Sequence, residues 1–238
     1  MSSFAIILPA AGKSSRFGSP HYKKVYAKIN NKPVWQYSVE QFQSFEQVKQ
    51  ILLVIHPEDK TFFSENYSAT AALLGCQVAL GGKTRTDSVE NGLTLVDSSI
   101  THIAVHDAAR PCVKNDDLRK LFDKAQESSA AILATPITST LKKGNSKGHI
   151  LSTKSRENLW AAQTPQAFSK ELLLQAYRQK KEGVNYTDES SLVEPLDHPI
   201  TMVEGSRQNI KITTQDDLEL VKAILSKQAR QQTNPFPF

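Results

Sequence analysis

Cysteine is nearly absent from this chain: of 238 residues only Cys76 and Cys112 carry a thiol. They are isolated, without the paired spacing of a zinc or redox site, so two reduced thiols in a cytoplasmic protein are expected. Long apolar runs are missing too. No stretch approaches the roughly 20 residues needed to span a bilayer. No charged n-region and apolar h-region precede the first strand, so neither a membrane partner nor a secretory route is expected. Internal repeats are also lacking. Two familiar phosphate loops are excluded: no Walker pattern is complete, and the Rossmann glycine triplet is absent, with Ser14 where its second glycine would stand. The net charge of +5 comes from Lys and Arg spread along the chain rather than gathered in a stripe. That spread, with no aromatic stacking motif, argues against a nucleic-acid partner. It suits a small polyanionic substrate equally well.

What is there reads as one domain over 1–228, with a β-arm at about 137–158 and a loose tail over 229–238. Hydrophobic residues make up 39% and charged residues 22%, the balance of an ordinary soluble domain. Apolar runs at 4–8, 51–55, 76–80, 103–106 and 130–134 predict strands, and amphipathic stretches predict helices from Pro33 and over 56–74, 88–96 and 116–128, the last capped by Asn115. Further helices are expected over 169–182, 187–193 and 216–225, and strands over 200–203 and 210–212. This alternation predicts an α/β fold with a Rossmann-like, mostly parallel sheet and helices on both faces. Ligands bind such sheets beyond the carboxyl ends of the strands. Short β-type runs flanking Gly144-Asn145-Ser146-Lys147-Gly148 predict a projecting hairpin. It is too poor in apolar residues to stand alone, and a second subunit is the economical partner.

Three polar segments fall at strand ends. Pro9-Ala10-Ala11-Gly12-Lys13-Ser14-Ser15-Arg16 frees backbone N–H groups toward a ligand and adds a permanent cation, which suits a triphosphate; the alternative is a small-residue turn. Gly81-Gly82-Lys83-Thr84-Arg85 is a second Gly-rich, cationic loop. Asp107, in His106-Asp107-Ala108-Ala109-Arg110-Pro111, either helps hold Mg²⁺ on phosphate oxygens or caps the next turn. Arg110 is a phosphate ligand or the salt-bridge partner of Asp107. Lys211, flanked by Ile210 and Ile212, lies on a solvated edge or points into a cleft. Trp160 reads most simply as core, with Gln163 and Gln166 as loop hydrogen bonders. Thr187-Asp188-Glu189 looks like a helix cap with first-turn acids.

In this order the motifs resemble the 2-C-methyl-D-erythritol 4-phosphate cytidylyltransferase family. The resemblance rests on Pro9-Ala10-Ala11-Gly12…Arg16, Gly81-Gly82…Arg85…Ser88, His106 to Pro111, Leu159-Trp160…Gln163-Thr164-Pro165-Gln166, Thr187-Asp188-Glu189 and Asn209-Ile210-Lys211-Ile212-Thr213. Two departures stand out. Ser14 replaces a glycine of the family loop, which is tolerable unless that position needs positive φ. The family's Pro-Lys-Gln-Tyr/Phe becomes Tyr22-Lys23-Lys24-Val25-Tyr26, where keeping Tyr26 in register makes Lys24 the motif lysine.

The resemblance implies that a sugar-alcohol phosphate attacks the α-phosphorus of CTP. Arg16, Lys24 and Lys211 would surround the triphosphate and Asp107 would hold Mg²⁺. Ala10, Ala11, Gly12, Gly82 and Ala108, with Ser88, would accept the cytidine. Thr140, Arg156, Thr187, Asp188 and Lys211 would hold methylerythritol phosphate, with Arg110 beside them. A homodimer joined through the β-arm follows from the same likeness. The alternatives are a ribitol 5-phosphate cytidylyltransferase and a nucleotide-binding sensor without turnover. The Ala108-Ala109 pair and the Arg156…Trp160 segment favour the methylerythritol enzyme over the first. Arg16, Asp107 and Lys211 argue against the second.

Overall fold

The first strand, β1 (Phe4–Pro9), is buried on both faces. Phe4, Ile6 and Leu8 enter one apolar cluster, Ala5 and Ile7 another. That is the mark of a central strand covered on both sides. The computed structural model describes residues 2–18 and 23–233. After β1 come β2 (Lys28–Ile29), β3 (Lys32–Pro33), α1 (Val34–Gln43), β4 (Val48–Ile55), α2 (Lys60–Leu73), β5 (Cys76–Leu80), α3 (Arg85–Leu93) and β6 (His102–Val105). The second half holds α4 (Asn115–Ser128), β7 (Ala130–Pro136), β8 (Leu141–Gly144), β9 (Ile150–Lys154), β10 (Trp160–Ser169), α5 (Lys170–Arg178), α6 (Ser190–Val193), β11 (Thr201–Glu204) and α7 (Gln215–Thr233).

Seven strands form the main sheet in the order β11-β7-β10-β6-β1-β4-β5. All neighbours pair in parallel except β10, which runs antiparallel to both β6 and β7. Helices α1, α2, α4 and α7 pack on one face, and α3, α5 and α6 on the other. This is the mostly parallel, two-sided α/β architecture expected. The hairpin is present too: β8 and β9 pair with each other alone, leaving Ile150 67% and Leu151 59% exposed. Among the described residues no helix is long and apolar enough to cross a membrane.

Several local expectations change. The segment read as loop around Gln163 and Gln166 is the antiparallel strand β10, with both glutamines buried and Trp160 only half-buried. Pro165 cannot donate to a ladder, and it falls where the β10–β7 register shifts, between Ala162 and Gln166. Residues 210–212 are not a strand; their backbone tie to the body is Ile212 N donating to Ala109 O at 2.9 Å. Helix α4 starts at Asn115, with Lys114 in the cap position. Pro33 closes β3 and precedes α1. Helix α3 starts at Arg85, ahead of Ser88, because Thr84 and Asp87 form a reciprocal capping box. Helix α7 runs to Thr233, so 229–233 of the expected tail are helical, and 234–238 lie outside the described residues.

Candidate active site

The loops after β1 and β5 are built to lie against each other. Ala10 N donates to Val54 O and Gly81 N to Ile55 O, tying both to the end of β4. A Cβ at Gly81 would stand 2.7 Å from Ala11 Cβ and from Ser88 Oγ, so only glycine fits. Ser88 Oγ accepts from Gly82 N at 3.1 Å and donates to Thr84 O at 2.8 Å, closing the second loop onto α3. Between these loops opens a cleft of about 230 Å³ lined by Ala10, Ala11, Gly12, Gly82, Ser88 and Lys24. Five of the six residues expected for the nucleotide therefore meet in one place. The sixth, Ala108, is fully buried; its neighbour Ala109 lines the cleft instead.

Lys24 reaches the cleft through the backbone. Its amide donates to Ser14 Oγ at 3.2 Å, and Ser14 itself sits in the left-handed region at φ 55°. The position thus does adopt the conformation that favours glycine. Lys23 turns away to pair with Asp59 at 2.7 Å. Arg16 lies exposed on a one-turn helix and does not line this cleft. Burial lowers the Lys24 ammonium to about 8; the positive charges of Lys211 and Arg16 add to this and Asp107 opposes it.

A second cleft, also about 230 Å³, is lined by Arg110, Gln163, Thr164, Gln166, Thr187 and Asp188. Arg85, Asp107 and Lys211 line both clefts. Asp107 is the hub: Lys211 Nζ stands 2.8 Å from its carboxylate, and Arg85 Nε and Arg110 Nε each 3.4 Å. Burial alone would raise this carboxyl, but Arg85, Lys211 and Arg110 hold it well below the usual range. Lys211 therefore points into a cleft, and Arg110 is the ion-pair partner of Asp107 while its Nη1 donates to Asn209 O at 2.8 Å. Beneath Asp107, His106 is fully buried and pushed down to about 4 by desolvation. Its Nε2 meets Arg110 O at 3.0 Å, and its Nδ1 lies 3.3 Å from Thr164 Oγ1. Since a carbonyl only accepts, Nε2 carries the proton and Nδ1 accepts.

Thr187 does not cap a helix, since α6 begins at Ser190. Asp188 accepts from Gln166 Nε2 at 2.8 Å, Ser190 Oγ at 3.0 Å and Ser191 N at 3.1 Å, which fixes it at the cleft wall. Thr140 and Arg156 are exposed on and beside the arm and line neither cleft; Arg156 donates to Thr138 O. The pair sequence reasoning missed is Arg85–Glu189. Both guanidinium Nη atoms reach the fully buried Glu189 carboxylate, at 2.7 and 2.9 Å. The Thr84-x-x-Asp87 capping spacing, which makes Arg85 the first residue of α3, was the available signal.

Among the described residues no group of three or more His, Cys, Asp or Glu side chains gathers as a metal cage. A lone carboxylate shared by two clefts suits a cation that takes its other ligands from phosphate and water, as Mg²⁺ does.

The chain matches the family model for 2-C-methyl-D-erythritol 4-phosphate cytidylyltransferase over residues 4–227. The protein of that name from Rhodopirellula baltica is 39% identical over 236 residues, spanning 94% of this chain and 96% of its own. Its counterpart from Endomicrobium trichonymphae is 41% identical over 221 residues, spanning 93% and 98%. The solved structure of 2-C-methyl-D-erythritol 4-phosphate cytidylyltransferase from Thermus thermophilus superposes with a TM-score of 0.78 at 28% identity, covering 94% of this chain and 98% of that one. The Francisella tularensis structure gives 0.77 at 32%, covering 94% and 100%. In sequence and in fold, this chain belongs to the 2-C-methyl-D-erythritol 4-phosphate cytidylyltransferase family.

Proposed function

We infer that this chain transfers CMP from CTP to 2-C-methyl-D-erythritol 4-phosphate, giving 4-diphosphocytidyl-2-C-methyl-D-erythritol and pyrophosphate. The observation that carries this reading is the pair of clefts with a common wall of Arg85, Asp107 and Lys211. One cleft, lined by small residues and Lys24, takes the nucleotide. The other, with Arg110, Thr187 and Asp188, takes the acceptor phosphate. The two substrates then meet at the shared wall.

A phosphate monoester, largely dianionic near neutral pH, is already a nucleophile. Its oxygen attacks the α-phosphorus of CTP, the new P–O bond forms, and the bond to the β-phosphate breaks with pyrophosphate leaving. No general base is required. His106, neutral at pH 7 and engaged at both ring nitrogens, fits that absence of a base. The work left to the protein is to position two anions and stabilise the charge that builds between them. Lys24 and Lys211 supply cations at the clefts, and Arg16, whose charge is felt at Lys24, adds another. Mg²⁺ would be held by Asp107 together with phosphate oxygens, and would neutralise charge on the triphosphate. Asp107 already carries Arg85 on one carboxylate oxygen and Lys211 with Arg110 on the other, so holding a metal there would require one of these cations to turn toward phosphate. The exposed arm, with Ile150 and Leu151 facing solvent in a single chain, supports a homodimer in which it packs on a partner. Thr140 and Arg156 would then act at the partner's acceptor cleft.

The test is pyrophosphate release by purified protein with CTP and Mg²⁺, comparing methylerythritol phosphate with ribitol 5-phosphate. Turnover with the first and not the second is expected, and it should stop when Mg²⁺ is chelated. Turnover only with ribitol 5-phosphate would reassign the acceptor; none with either would leave a sensor.

A further inference from the structure

Lys24 is held in an unfavourable place. It lines the nucleotide cleft together with Lys211, where burial and the charges of Lys211 and Arg16 outweigh the pull of Asp107 and Asp217, and among the described residues no ion pair holds its ammonium. A flexible lysine so placed gains by swinging out to water. Something must hold its backbone.

That restraint comes from the turn after β4, whose first residue, His56, lines the nucleotide cleft while Asp59 does not. Asp59 closes a one-turn helix, Pro57–Asp59, set by two contacts of His56: its Nδ1 accepts from Glu58 N at 3.2 Å, and its carbonyl accepts from Asp59 N at 2.9 Å. The Asp59 carboxylate then reaches both sides of the cleft lysine. One oxygen takes Lys23 Nζ at 2.7 Å; the other takes Tyr26 Oη at 3.2 Å. Lys23 and Asp59 side chains are only 20% and 13% exposed, so the pair is shielded from the screening that weakens surface ion pairs. The Tyr26 ring is itself wedged, stacked on Tyr67 with centroids 5.7 Å apart and edge-on to Phe62 at 5.2 Å. Between these anchors Lys24–Tyr26 forms a single helical turn, with Tyr26 N bonded to Lys23 O and Ala27 N to Lys24 O.

We propose that Asp59 is a positioning residue for Lys24: it grips the residue before and the residue two places after, and so fixes the turn that projects the ammonium into the nucleotide cleft. Asp59 lines neither cleft; on this proposal its effect on the triphosphate passes through Lys24 and not through His56, the residue of the same turn that does line the nucleotide cleft. The proposal rests on the cytidylyltransfer reading for its activity measurement, though not for its binding measurement.

The experiment is a double-mutant cycle with two readouts. Asp59→Ala and Lys24→Ala, alone and together, are measured for kcat/KM toward CTP and for CTP affinity by calorimetry without acceptor. Thermal melting runs alongside. In the parent background Asp59→Ala should lower both readouts about tenfold, and in the Lys24→Ala background by less than about twofold, the non-additivity expected of residues acting through one another. Asp59→Asn, which keeps an acceptor for Tyr26, should recover part of the loss. If Asp59→Ala does not fold, Lys23→Met combined with Tyr26→Phe removes the same two contacts. An equal loss in both backgrounds, or no loss in the parent background, overturns the proposal. If the unmodified protein binds CTP but turns over no acceptor, the functional reading fails while calorimetry still decides the role of Asp59.

Discussion

At the scale of single residues, what the sequence hides is backbone conformation and the direction a side chain takes. Lys23 and Lys24 are adjacent and chemically identical, and only the motif register favours Lys24. In space they part because Asp59 claims one and the cleft the other. Ser14 is legible as a small residue in a phosphate-type loop, but its φ of 55° is not, nor is the bond its hydroxyl makes to the Lys24 amide. The Lys24 ammonium is held down to about 8 by burial, by Lys211 and by Arg16, against the pull of Asp107 and Asp217. Its folded value lies below its unfolded 10.5, so the unfolded chain holds the extra proton between those limits. This group's contribution therefore makes stability rise as pH increases from about 8 to 10.5. Activity should move the other way. In the free enzyme kcat/KM for CTP should fall as pH rises through about 8, because the cation proposed to meet the triphosphate is lost. Bound triphosphate favours the charged form, so the corresponding limb in kcat should lie higher. Lys24→Arg, whose guanidinium stays charged, should erase the kcat/KM limb. A limb that persists unchanged in Lys24→Arg would assign the titration to another group.

Secondary-structure elements follow the sequence closely where burial and propensity agree. Strand β5 falls over the residues expected, and β1, β4, β6 and β7 extend by a few residues or shift by one. The failures come where one residue type outweighs its neighbours. Pro165 argues against a strand, yet β10 crosses the middle of the sheet because its register slips where the proline sits. Ile210 and Ile212 suggest a strand, but Ile212 is simply buried in the core near α7. Arg85 reads in the sequence as a loop cation, yet it is the first residue of α3, paired in bidentate fashion with Glu189 just before α6. Tyr177 of α5 lies against the same carboxylate, its hydroxyl 3.5 Å away, so three helices of one face meet on one buried charge. Removing the guanidinium alone leaves the buried Glu189 charge with only the long Tyr177 contact. Arg85→Met should therefore destabilise the fold by about 3–5 kcal/mol in urea denaturation. Adding Glu189→Gln should return a large share of that loss, since the orphaned charge goes with it. If the double variant is less stable than Arg85→Met, the pair acts by packing rather than by charge.

For the whole molecule, the arm stands apart from the two clefts within a single chain. Arg85, Arg110, Thr187, Asp188 and Lys211 converge on the second cleft, while Thr140 and Arg156 remain with the arm outside it. The arm's strands pair only with each other, and Ile150 and Leu151 are left to solvent. An isolated hairpin of this kind is marginal in water, so a packed partner is what would keep it ordered. A twofold dimer would bury the arm on a second copy and carry each Arg156 toward the other chain's acceptor cleft. Subunit mixing tests this directly. Arg156→Ala and Lys211→Ala should each be nearly inactive as pure dimers, because every site then lacks one of the two cations. Exchanged together, they form mixed dimers with one site that takes Arg156 from one chain and Lys211 from the other. Activity should then return to about a quarter of the parent level, since half the dimers are mixed under random exchange and each holds one intact site. Mass spectrometry of differently tagged subunits shows whether exchange took place. Exchange without recovered turnover would place Arg156 in its own chain's site, and the arm would then have to fold back across the cleft of the same chain.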